Sequence, residues 1–70
     1  MNNINQNKKY PYYIVEGRRF ECDDKDYHLA VHFARSLATQ MNRPVSIIRV
    51  LDSMTPDAVI YTAVPEKDYE

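Results

Sequence analysis

The chain is poor in the residues from which special chemistry is built. Its 70 residues include one glycine, one cysteine and no tryptophan. A lone glycine, Gly17, leaves no glycine-rich loop to cradle phosphates, and neither a Walker nor a dinucleotide-binding pattern occurs. A lone cysteine, Cys22, cannot close a disulfide within the chain and suits a reducing compartment. No apolar run approaches the ~20 residues that cross a bilayer. Met1 to Asn7 is polar, where a secretory signal carries an apolar run of about 7–15 residues. The expectation is a soluble cytoplasmic protein with no membrane role.

Net charge is small as well. At −1 it provides no long-range field to draw nucleic acid or an anionic membrane. The two ends nevertheless differ. Lys8, Lys9, Arg18 and Arg19 outweigh Glu16 in residues 1–20, whereas Asp52, Asp57, Glu66, Asp68 and Glu70 outweigh Lys67 in residues 52–70. Opposite poles suit a contact surface with charge complementarity, and they equally serve to solubilise two tails.

Apolar residues make up 44% of the chain, too many for a disordered segment. A chain this short forms one domain and buries only about 60% of its unfolded surface, so the fold is marginal without a staple or a partner. The domain is expected over residues 10–65, between a disordered tail over 1–9 and an acidic tail over 66–70.

Within that domain the punctuation is clear. Tyr12-Tyr13-Ile14-Val15 is aromatic and β-branched, as strands are. Glu16-Gly17 makes a tight turn, since glycine takes positive φ without steric cost. Arg18 to Cys22 returns as a second strand. A two-residue loop sets Val15 opposite Arg18 and Tyr13 opposite Phe20. Tyr13, Val15, Phe20 and Cys22 then share the core face, and Tyr12, Ile14, Arg19 and Glu21 share the other.

Asp23 and Asp24 are natural N-caps, and Asp26 meets the positive end of a helix in its first turn. Tyr27, Ala30, Phe33, Ala34, Leu37, Ala38 and Met41 recur at spacings of three and four, which makes one apolar stripe. Asn42 can take the left-handed C-cap conformation, and Pro44 cannot continue the helix. The helix is expected over about residues 25–42. Val45 to Leu51 and Ala58 to Val64 read as strands, separated by a turn-rich loop and closed by Pro65.

The order is ββαββ. It predicts an α+β fold, a four-stranded antiparallel sheet with one helix packed on one face. Strand orders 2-1-3-4 and 1-2-4-3 both keep every neighbour antiparallel.

One helix covers only one face, so the second face is the expected contact surface. An unpaired guanidinium is costly in a small core, which turns Arg49 outward with Ile47 and points Ile48 and Val50 to the helix. The last strand is similarly apolar in both phases. The candidate contact residues are Tyr12, Ile14, Arg19, Ile47, Arg49 and Tyr61, residue types suited to interface anchors. Arg49 would lie over Tyr61 as a cation–π pair where the registers match. The reading is a small non-enzymatic protein-binding module or regulator, of bacterial or phage type, whose partner is another protein or itself as a homodimer. The alternative is single-stranded nucleic-acid binding, with sheet tyrosines stacking bases and Arg19, Arg43 and Arg49 meeting phosphates. Against it, the ββαββ order differs from that of RNA-recognition sheets, whose Lys/Arg-Gly-Phe/Tyr signature is absent.

Other chemistry finds little support. His28 and His32 share a helix face, but Leu29 breaks the His-Glu-x-x-His pattern and two ligands do not make a zinc site. Cys22 is surrounded by Glu21, Asp23, Asp24 and Asp26, which disfavour a thiolate, and its strand phase points it to the core. No catalytic group, metal, cofactor or small-molecule substrate is expected.

Overall fold

The computed structural model describes residues 10–66. Their order is β1 (Tyr12–Val15), β2 (Arg18–Glu21), α1 (Asp24–Met41), β3 (Val45–Val50) and β4 (Ala58–Ala63). The sheet runs β2-β1-β3-β4, with each neighbouring pair antiparallel, and α1 packs on it. The expected α+β architecture is therefore present, in the first of the two strand orders. The expected tail over 1–9 and the acidic tail beyond Glu66 lie outside the described residues.

Local chemistry sets each junction. Glu16 and Gly17 both have positive φ, 47° and 84°, which is the two-residue turn whose twist matches a hairpin. It places Val15 opposite Arg18 and Tyr13 opposite Phe20. Asp23 caps α1, its side chain accepting from the Asp26 N–H at 2.8 Å. The Asp26 carboxylate in turn accepts from the Glu21 N–H at 3.1 Å, which ties the end of β2 to the first helical turn. At the far end Asn42 adopts φ 55° and ψ 44°, and the N–H groups of Asn42 and Arg43 both donate to the Ala38 carbonyl. The Arg43 guanidinium then reaches the Glu16 carboxylate at 3.1 and 3.2 Å, joining the helix end to the β1–β2 turn.

The core is built on small residues. Ala30, Ala34 and Ala38 are fully buried along α1, so the helix can lie close to the sheet. Beneath it sit Val15, Phe20, Val45, Ile47 and Ala63, with Tyr13, Tyr27, Val31, Phe33, Leu37, Ile60 and Tyr61 packed around them. Burying one such aliphatic or aromatic side chain contributes about 1.5–3 kcal/mol. Met41, expected in the stripe, is 43% exposed at the last helical turn, where it lies against Arg43.

The phase of β3 is opposite to the one expected. Val45 and Ile47 face the helix, Ile47 fully buried, while Ile48 and Val50 belong to the other side. In β4 the register slips. Ile47 pairs with Tyr61, but Ile48 pairs with Val59, so Ile60 is an extra residue in a β-bulge. The bulge lets the neighbours Ile60 and Tyr61 both pack against the core, while Val59 lies opposite Ile48.

Candidate protein-contact face

Cross-strand pairing lays out the face away from α1 in rows. One row runs Glu21, Tyr12, Val50 across β2, β1 and β3. The next runs Arg19, Ile14, Ile48, Val59 across all four strands. Ser46 and Thr62 close the face at the outer end of β3 and β4, their hydroxyls hydrogen-bonded at 3.1 Å. No helix or strand among the described residues covers this side.

The centre of the face is apolar. Ile14 and Ile48 are half-buried, Val50 is 7% exposed, and Val59 is 61% exposed. Arg19 holds its guanidinium 3.9 Å from the centre of the Tyr12 ring, and Tyr10 stacks against Tyr12 at 5.6 Å. This group of one cation and two rings frames one corner.

Of the six residues singled out from the sequence, Tyr12, Ile14 and Arg19 lie on this face. Ile47, Arg49 and Tyr61 do not. Ile47 and Tyr61 are cross-strand partners under the helix, and Ile47 is part of the core itself. Arg49 lies opposite Tyr13 on β1 and Ala58 on β4, so the anticipated Arg49–Tyr61 pair is out of register. The residues that take their places are Ile48, Val50 and Val59. A strand with valine or isoleucine at both parities hides this choice, and the one charged residue in it pointed the wrong way.

Arg49 remains at the margin of the core. The residue is half-buried, and its Nε has no hydrogen-bond partner among the described residues. Its cross-strand neighbour Tyr13 packs against Tyr27 at 5.4 Å. Hydrogen bonding toward the Cys22 side chain, reinforced by burial, pushes the Tyr13 hydroxyl up from its ordinary value of 10.0 to about 12, with the Arg49 charge opposing.

The outer side of α1 is polar and shallow. A cleft of about 460 Å³ is lined by His32, Arg35, Ser36, Thr39, Gln40 and Glu66, with the Arg35 guanidinium bound to the Glu66 carboxylate at 2.8 Å. A smaller one of about 230 Å³ lies beside Phe20, Leu29 and Phe33, where the Arg18 guanidinium covers both phenylalanine rings at 5.2 and 5.0 Å. His28 and His32 are both exposed, and no cluster of three or more histidine, cysteine or acidic side chains able to hold a metal occurs among the described residues. No helix among the described residues is long and apolar enough to cross a membrane.

Comparison with protein families, with curated proteins and with solved structures finds no match to this chain.

Proposed function

We propose that this chain is a small, non-enzymatic protein-binding module, a regulator that acts by surface complementarity through its open sheet face. One observation carries the reading: Ile14, Ile48 and Val59 stand side by side across β1, β3 and β4. A solvated antiparallel face normally alternates to polar side chains in such a row. An apolar centre with Arg19 and Tyr12 at its corner has the composition of a contact surface. The lone Cys22 suits a reducing, cytoplasmic setting. Base stacking on this face has less to support it, because Tyr13 and Tyr61 pack against the core and the Tyr12 ring already carries Arg19 and Tyr10.

The test is a selection of displayed random peptides on the folded chain, repeated on Ile48→Glu. Peptides enriched on the unaltered chain are expected to lose at least tenfold in affinity for Ile48→Glu, whose circular dichroism stays unchanged. No enrichment, or equal binding to both proteins, sinks the proposal.

A further inference from the structure

The two edges of the sheet are finished differently. β2, at one edge, is four residues long and carries Arg18, Arg19 and Glu21. Its last residue is satisfied from within the chain. The Glu21 N–H donates to Asp26, and the Glu21 carbonyl accepts from the Asp23 N–H at 3.0 Å. Charges and occupied backbone groups are how an edge strand is kept from pairing with another chain.

β4, at the other edge, has six residues and no charge. The uncharged stretch extends from Ala58 to Pro65, and Val59 and Val64 are each 61% exposed. Among the described residues, no backbone hydrogen bond from a turn, loop or cap reaches this strand. The bulge at Ile60 disturbs the first half of the edge, and Pro65 closes the far end. Among the described residues, Tyr61 to Val64 is left as a run with none of the usual protection.

We infer that this run pairs with its own counterpart in a second copy of the chain, antiparallel about a two-fold axis near Thr62, so that the two sheets become one. A neutral strand meets its copy without like-charge repulsion, and an isologous contact uses the same patch on both sides. Because β2 is blunted, each copy has one open edge, and association stops at two. Two open edges would instead propagate a filament. The pairing also sets the two open faces side by side, which widens a small apolar patch toward the size that stable protein interfaces need. It thus deepens the proposed binding role, although the edge can pair whether or not the face binds anything.

The experiment is the mass in solution, by light scattering after size exclusion over a range of concentrations. The unaltered chain is expected at twice the monomer mass. Thr62→Lys, which sets two lysines across the axis, and Val64→Lys are expected at the monomer mass with unchanged circular dichroism. Ser46→Ala removes the Ser46–Thr62 hydrogen bond without touching the edge, and it stays dimeric. Ile48→Glu stays dimeric too, so loss of peptide binding and loss of pairing read out separately. A monomeric unaltered chain, assemblies larger than two, or dimers in both lysine variants overturn the inference. So does a dimer lost in Ile48→Glu and kept in Val64→Lys, which would move self-association to the open face.

Discussion

Ile47 of β3 and Tyr61 of β4 are direct cross-strand partners, and both lie beneath the helix. That pairing decides which half of each strand is core. It also places Arg49, two residues on, on the helix side of the sheet, because alternate residues of a strand share a face. Arg49 is only half-buried there, opposite Tyr13 on β1, whereas Ile47 is fully buried.

The phase of β3 can be read from stability. Ile47→Ala is expected to cost about 2–5 kcal/mol, as for other deletions from a packed core, whereas half-buried Ile48→Ala should cost under about 2 kcal/mol. Urea unfolding of both variants measures the difference. Equal losses would mean that the helix covers both parities alike.

The helix start depends on Asp23. Its carboxylate accepts from the Asp26 N–H, and replacing it by alanine is expected to cost about 0.5–2 kcal/mol. Asp23→Asn retains an acceptor and should retain most of that stability. Thermal unfolding followed at 222 nm compares the two. An alanine variant as stable as the unaltered chain would remove the cap from the account.

Gly17 is required by its backbone and not by its surroundings. Among the described residues, nothing beyond Gly17 and its two chain neighbours lies within 4 Å of where a Cβ would stand, but φ is 84°. Gly17→Ala should therefore cost about 1–2 kcal/mol through left-handed strain alone, and Gly17→Asn less, since asparagine tolerates that region better. Chemical unfolding gives both values. Alanine and asparagine variants of equal stability would indicate that the turn changes type.

Tyr13 gives the fold an alkaline limit. Its hydroxyl is held up at about 12 by the Cys22 hydrogen bond and burial, against an ordinary 10.0. The neutral phenol is the form the fold favours. Its contribution is complete below the unfolded value and is lost as pH rises from about 10 through about 12. Absorbance at 295 nm should show a tyrosine step near 12 that is absent in Tyr13→Phe and moved down in Cys22→Ala. A titration with no step near 12 would remove this alkaline limit.

Much of this molecule was legible without coordinates, and for a definite reason. The two-residue turn at Glu16 and Gly17, the Asp23 cap and the Asn42 stop are all decided by residues within a few positions of one another. The helix pattern is equally local, since alanine, phenylalanine and leucine at spacings of three and four leave one way to bury a stripe. From these alone came the element order, the hairpin register and the face of β1 and β2 that carries Tyr12, Ile14 and Arg19.

The phase of β3 and β4 was decided only by the tertiary structure. Val45 and Ile47 are as apolar as Ile48 and Val50, and β4 carries apolar residues at both parities, so apolar alternation by itself carries no preference in either strand. Arg49 was the only charged cue, opposed by the weaker polar cue of Ser46 at the other parity, and the cost of its position is less than the gain from seating Val45, Ile47, Tyr61 and Ala63 against Ala30, Ala34 and Ala38. The bulge at Ile60 then brings two consecutive residues of β4 to the core, an arrangement no period-two pattern encodes. Which side chains form the contact face therefore followed from where one helix came to rest on a sheet whose last two strands could have faced it either way.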